Sequence, residues 1–597
     1  MKRPLTALVL GLPLAGEFVP LAIADFKPPP LSGPVLVANN AALKALSGGA
    51  NTPVERLGYT SAGDGGLMLY AYSGSACPLN SGSGDDGSQV RSSDGKCWLW
   101  QPVGLIVTPQ VFGCKGDGGT DDTACLQAAI NARQGGSAGS KLVIDQRLYR
   151  ITSGLMITQS MQIVGTQLGT GQGTWRSNTP CAAGIRVDAA NIIAITIAAA
   201  ATVMDGVCID NANVNNNSGA TIGVGAVDNV TIRNSQINGG CISIDISGSG
   251  NTQNVGSLID HNTFIPVNNA GCVVLRVGHN SVNGSTTDLQ VTRNETLGAS
   301  NVVCMQIEDA GGLFVSHTGF VACRYGTYIN PGSDQYVDGC FFTGTVLGDS
   351  SANGDLLIDT AASSAIVGQI QITGSWMASA TGPSVTIQNT GGGYIGGVHF
   401  AGDLIYPRVN QNGVNIIGGN DITIDDSTIC APTNSSGTML QITTGGSTAV
   451  RNSTIGACDR TAAGPGNAVN TGIIYMPSAA GIVQILGNTF FQTATPLIYN
   501  PAGSSTATIA NNVGIDDITG ATVASDTTIT APVNPIFSIS GTAVITTMKA
   551  GWTGRQMTIN PVGAFSFATG GNIGNSLKAT AGVPIFANFD GAYWHVK

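Results

Sequence analysis

From about residue 140 to residue 525, apolar residues recur in pairs five positions apart. The pairs are Ile232/Ile237, Ile259/Phe264, Val315/Phe320, Val337/Phe342, Ile372/Met377, Ile395/Phe400, Ile424/Ile429, Val450/Ile455 and Ile485/Phe490, with looser copies starting at Val291 and Ile509. Between the two apolar residues stand small or polar ones, with Asn or Ser frequent. Strand alternation has a period of two, so an offset of five keeps both residues on one side only if a tight bend intervenes. Asn and Ser favour such bends. Successive pairs lie 22 to 35 residues apart, the length of one coil in a repeating solenoid. The pattern predicts a three-sided parallel β-helix over 141–527, roughly 65 Å long at ~4.8 Å per coil.

The flanks break the pattern. Residues 1–34 end in Lys27-Pro28-Pro29-Pro30, an extended tail. Residues 35–105 read as a small β-rich module closed by Lys96-Cys97-Trp98-Leu99-Trp100. Residues 528–597 form a second β-rich unit, rich in aromatics from Trp552 to Trp594, expected to cap the last coil or hold chains together. Between module and solenoid, 106–140 carries Phe112-Gly113-Cys114-Lys115-Gly116-Asp117-Gly118-Gly119-Thr120-Asp121-Asp122-Thr123. Glycines permit positive φ, Thr120 or Asp121 can cap a following helix, and Asp122 favours its positive end. Cys125, Leu126, Ala129 and Ile130 supply that helix with one apolar stripe.

That motif closely resembles the opening of the pectate-lyase-like superfamily, right-handed parallel β-helices that include bacteriophage tailspikes and secreted glycan-cleaving enzymes. The resemblance implies an all-β, right-handed, three-sided solenoid whose first coil is plugged by the short helix. Gly113, Gly116, Asp117, Gly118, Thr120, Asp121 and Asp122 are then structural. The segment Gly58-Tyr59-Thr60 to Leu69-Tyr70 resembles, more weakly, a piece found ahead of the β-helix in tailspikes. Residues 1–24 admit two readings. Met1-Lys2-Arg3, an apolar run and Ala22-Ile23-Ala24 imitate a secretory signal. Pro13 and Glu17 interrupt the run, and Pro13 to Pro20 looks like the opening of phage tail proteins, which is the favoured reading. The resemblance implies a homotrimer in a phage tail, folded in the host cytoplasm, attached to the virion baseplate or tail through its amino terminus, and acting on a bacterial surface polysaccharide.

Composition narrows the partners. Only 10% of residues are charged, and the net charge is −10. This balance argues against a nucleic-acid partner, whose phosphates call for basic surface, and mildly against a strongly acidic polysaccharide as substrate. After residue 24 no run of ~18 or more apolar residues offers a membrane span. The 13 cysteines include no CxxC, and no phosphate loop, nucleophile elbow or zinc motif occurs, so neither metal nor cofactor is expected. Many cysteines sit at strand positions, as small buried hydrophobes do. The reading is a thiol-rich chain folded in a reducing cell, with a Cys77–Cys97 disulfide left open.

Stacking the pairs turns sequence positions into surface columns. The residue before the second apolar position gives an outward column containing Glu295, Phe341, Trp376 and His399. Phe341, Trp376 and His399 would form an aromatic stripe for sugar rings. The two positions after the first apolar residue hold Asp260, His261, Arg293, His317 and Asp338. Glycoside hydrolysis uses two carboxyl groups, ~5 Å apart for retention and ~6.5–9.5 Å for inversion. Asp260 with Glu295 suits the shorter spacing and Glu295 with Asp338 the longer. His261 and His317 would orient a carboxylate and Arg293 would hold the sugar. Asp425-Asp426 and Gly278-His279-Asn280 resemble parts of the polygalacturonase signature, but in the wrong order and without its other two elements, which argues against that enzyme.

Overall fold

The computed structural model describes residues 33–49, 53–102, 106–134, 141–166, 181–211, 216–250, 252–458, 469–477, 481–499, 506–514, 519–532 and 535–597. The amino-terminal tail of 1–32, with its two readings, lies outside them. Three long parallel sheets form the rod. The first face runs over 15 strands from Ile106–Val107 to Thr506–Ala510, and the second over 14 from Asp117–Asp121 to Thr489–Phe491. The third runs over 13 strands from Leu155–Ile157 to Thr493–Tyr499. Each coil visits the faces in that order, and the right-handed crossover is the rule for such parallel neighbours. Isoleucine, valine, leucine and phenylalanine fill the bore in one continuous core.

The offset of five has a local cause. Between first and second faces the chain turns through one residue in left-handed conformation: Asn234, His261, Arg293, His317, Asp426, Asn452 and Asn511, or glycine at 344, 374, 402 and 487. The next residue points inward and is polar yet buried: Asn262, Asn294, Thr318, Ser375, Asp403, Asn488. It accepts the turn N–H of the coil below. Asn262 Oδ1 accepts from Ser235 N at 3.0 Å, Asn294 Oδ1 from Asn262 N at 2.9 Å, and Asn512 Oδ1 from Asn488 N at 3.0 Å. A buried N–H without an acceptor costs ~1–3 kcal/mol, so this ladder of side chains satisfies what the corner would leave bare.

Two coils depart from the expected register. Phe342 aligns with Val315 and Ile372, and Phe400 with Ile372 and Ile424. The inward pairs there are Phe342/Leu347 and Phe400/Ile405, not Val337/Phe342 and Ile395/Phe400. The strands Tyr336–Thr343 and Tyr394–Ala401 are long, and each contains a left-handed glycine, Gly339 or Gly397. That bulge spaces two inward apolar residues five apart within one strand and so mimics the corner.

In the glycine–aspartate motif every aspartate serves the backbone. Asp117 accepts from Gly119 N and Thr120 N, Asp121 from Thr123 N and Thr152 Oγ1, and Asp122 from Lys115 N and Gly116 N. The helix Thr123–Arg133 follows and buries Leu126, Ala129 and Ile130. Cys114, Asp122 and Cys125 bring three donor atoms within 4.8 Å, but the two sulfurs are joined to each other.

The cysteines overturn the thiol-rich reading. Twelve of the thirteen pair: Cys77–Cys97, Cys114–Cys125, Cys181–Cys208, Cys241–Cys272, Cys304–Cys323 and Cys430–Cys458. Cys340 alone is free, and buried. The last four bridges each join neighbouring coils, where stacking brings strand-end cysteines side by side. Before the rod, Val35–Val37, Val54–Arg56, Met68–Tyr72, Cys97–Trp100 and Gln89–Arg91 form one sheet. After it a separate core gathers Phe537, Phe565, Phe567 and Trp594. Among the described residues no helix is long and apolar enough to cross a membrane.

Two buried acids give the rod a pH signature. Burial drives Asp355 up to about 8, against hydroxyl groups of Ser351 and Ser384. Burial also drives Asp403, in the corner ladder, to about 7, against the N–H groups of Ser375 and Ala401. The unfolded value is about 3.9. The folded chain thus keeps protons that the unfolded chain releases. Their contribution is complete below about pH 4 and is lost as pH rises to 7–8. Melting is expected about 5 °C or more higher at pH 5 than at pH 8.5, with the slope reduced in Asp355→Asn; equal melting temperatures at both pH values would contradict the assignment.

Candidate functional site

At the corner between first and second faces, Asp260 is gripped rather than free. Arg293 donates to both its oxygens at 3.0 and 2.7 Å, the Thr292 hydroxyl donates, and His261 Nδ1 lies 3.2 Å away. Burial pushes its carboxyl up, but these hydrogen bonds outweigh burial and hold it below the usual range. The same brace recurs in other coils, Asp205 with Arg233 and Asp425 with Arg451. His261, Arg293 and His317 occupy the left-handed turn position, so their side chains stack outward along the corner. Glu295 stands on the second face between Thr263 and Gly319.

Asp338 does not join them. It lies on the first face, five residues before Thr343, whose column contains Asp260, Thr292 and Ser316. At ~3.3 Å per residue that is about 16 Å along the strand. The longer carboxylate pair is therefore not assembled. Nor is the aromatic stripe. Trp376 is on the second face, in the column of Glu295. Phe341 and His399 are on the first, in the column of Gln290, Phe314 and Gln371. All three side chains still face outward. Phe341 instead stacks on Phe314, ring centroids 5.3 Å apart and planes within 7°, with both rings over 40% exposed. His399 Nδ1 contacts the Thr423 hydroxyl.

The third face holds a cluster that the sequence columns missed. Asp245, Arg276, Gln306 and Tyr328 align on four successive coils. Arg276 clasps Asp245 at two points, 3.0 and 2.7 Å. Strands Ile242–Gly250 and Val273–Ser281 overrun their neighbours. From the second of these extensions His279 reaches Glu308, its Nδ1 2.9 Å from Oε2. Gln306 Nε2 donates to the other Glu308 oxygen at 3.0 Å. Tyr328 packs on Tyr325, centroids 5.5 Å apart, and Arg324 lies 5.4 Å from the Tyr325 ring centre. Burial, with Asp359 nearby, pushes the Tyr328 phenol up to about 12, so it stays protonated at neutral pH. The cluster joins a carboxylate that can exchange a proton, a histidine to carry that proton, a fixed anion, and aromatic faces for a sugar ring. The chain has only four glutamates, of which Glu295 and Glu308 lie in the rod, and Gly278-His279-Asn280 stands one coil before Glu308; neither feature by itself placed a site on this face.

No family model matches the chain. Over 78 residues, 13% of this chain and 9% of the relative, it is 40% identical to "Depolymerase 1, capsule K30/K69-specific" of Klebsiella phage K5-2. Among solved structures it is similar to the A-module of mannuronan C-5 epimerase AlgE4 of Azotobacter vinelandii, at 14% identity, covering 68% of this chain and 99% of that one, with TM-score 0.45. It is also similar to the tailspike protein gp49 of Acinetobacter baumannii bacteriophage Fri1, a capsular polysaccharide depolymerase, at 14% identity, covering 81% and 76%, with TM-score 0.40.

Proposed function

We propose that this chain is a tailspike-like protein that binds a bacterial surface polysaccharide along its rod and cleaves it at the third face. The His279–Glu308 pair beside Tyr325 and Tyr328 carries the reading. It is a largely buried carboxylate with a partly exposed proton carrier, on the same face as two aromatic rings. The local identity to a phage capsule depolymerase supports a capsular glycan as substrate. Glu308 is the acid that gives its proton to the departing glycosidic oxygen, His279 passes a proton from solvent back to Glu308, and the proton drawn from the attacking water leaves through Asp245. Asp245, held by Arg276, is the fixed carboxylate that activates water. The two lie on coils two apart and two residues off one column, roughly 10 Å along the rod and about 7 Å across it, nearer the inverting than the retaining separation. Hydrolysis is proposed over elimination because the cluster offers two carboxylates while its Arg276 is engaged by Asp245. Glu295, which makes no side-chain hydrogen bond among the described residues, is the alternative carboxylate; Asp260 and Asp338 serve the framework.

The Phe314–Phe341 pair, with His399 two coils on in the same column and Trp376 on the second face, is the platform along which a long glycan lies. Phe341→Ala is expected to weaken polysaccharide binding about tenfold while leaving melting unchanged; unaltered affinity would remove the platform. Trimerisation and attachment to a virion through 1–34 belong to the same proposal, and light scattering should give a three-chain mass. Incubating the purified protein with capsular polysaccharides separates the chemistries. New reducing ends without unsaturated-uronate absorbance support hydrolysis, absorbance supports elimination, and neither signal on a glycan that binds leaves a receptor-binding fibre. The six disulfides also suit a secreted glycosidase; recovery of protein with Met1 or Lys2 intact would exclude it.

A further inference from the structure

The rod disposes of its positive charge carefully. Arg150, Arg186, Arg233, Arg276, Arg293 and Arg451 each pair with an aspartate at 2.6 to 2.9 Å. Arg324 makes no ion pair among the described residues, although it is exposed and the chain carries a net charge of −10. Nor does it swing freely. Its guanidinium sits 5.4 Å from the centre of the Tyr325 ring, and the Tyr325 hydroxyl is 3.5 Å from Asn353 Nδ2. Tyr325 in turn packs on Tyr328, which stacks in register above Gln306, the hydrogen-bond partner of Glu308. The charge of Arg324 is felt at the Tyr328 phenol. An unbroken path of contacts therefore runs from a proton-exchanging carboxylate to an aromatic step and on to an unneutralised guanidinium.

We infer that Arg324 and Tyr325 form a subsite for a carboxylated sugar, with the sugar ring on the tyrosine pair and its carboxylate taken by the guanidinium. The inference rests on the third face being the glycan-binding centre, and it adds the charge class of the residue bound there. A planar guanidinium matches a carboxylate with two parallel N–H donors, which an ammonium cannot do. The residue is exposed and its side chain has no carboxylate partner among the described residues, so those donors are open to a ligand. The remaining charges of the patch oppose an anion anywhere else: Asp245 is already satisfied by Arg276, and Glu308 would repel a second carboxylate. Charge complementarity thus fixes the orientation of the chain, acidic unit on Arg324 and scissile bond toward Glu308.

The test uses monosaccharide probes and needs no turnover. Saturation-transfer NMR is recorded on the full chain with methyl β-glucuronide and, separately, with methyl β-glucoside. The glucuronide is expected to saturate about tenfold more strongly than the glucoside, and Arg324→Gln should bring the two together. Equal signals from both sugars on the wild type, no signal from either, or a glucuronide preference that survives Arg324→Gln would overturn the subsite. Because binding alone is read, the subsite can stand where cleavage fails, and cleavage of a capsule can stand where the glucuronide preference fails. Arg324→Lys, which keeps charge but not the fork, should recover less than half of the preference.

Discussion

Glu308→Gln is expected to bind its polysaccharide as the wild type does and to release products about 10²–10⁴-fold more slowly, the range lost when a positioned proton-transfer group is removed. The amide keeps the volume of the carboxyl and an oxygen for Gln306, so the rung should stay intact. What disappears is the proton. His279→Ala leaves the carboxyl in place without its carrier, and should slow turnover less and mostly at higher pH. The control is Glu295→Gln, on the far side of the same coils. Reducing-end release measured on all three decides the matter. Full activity in Glu308→Gln with loss in Glu295→Gln would move the reaction centre to the first–second corner, where Arg293 and His317 are exposed.

The second large effect is chemical. Denatured without reductant, the protein should titrate as one thiol, Cys340, and after reduction as thirteen. Each bridge within the rod spans 19 to 31 residues. Closing a loop of that size in the unfolded chain is worth roughly 3 kcal/mol. Four such bridges in one stack are comparable to the whole usual margin of a domain, although the contributions will not add fully. Reduction should therefore lower the melting temperature by well over about 10 °C. A count of thirteen thiols in unreduced protein would return the chain to the reading made from strand-position cysteines.

That reading failed for an instructive reason. Cys241 and Cys272 look like isolated apolar residues because their partners are a coil away, and only the stacking distance makes them neighbours. The solenoid itself was legible because the corner imposes a fixed sequence: inward apolar, outward, left-handed, buried polar, outward, inward apolar. Phe342 and Phe400 show where that legibility stops, since a mid-strand bulge at Gly339 or Gly397 writes the same offset without turning the chain. One slip of five carried Asp338 into the company of Asp260, and Phe341 and His399 into that of Trp376. The third-face cluster was hidden more thoroughly. The linkers before and after that face vary in length from coil to coil, so nothing in the sequence aligns Arg276 with Gln306 or brings His279 to Glu308.

The buried corner ladder also gives the molecule a polarity in time. In most coils the turn N–H takes its acceptor from the coil that follows: Ser235 from Asn262, Asn262 from Asn294, Ser453 from Asn488. A partly built stack is thus saturated at its amino end and always carries one hungry amide at its carboxyl end. A ribosome delivers the chain in that same order, so every new coil emerges onto a surface already waiting for it, and growth halts only when a coil without the receiving side chain, or the aromatic-rich terminal unit, closes the queue.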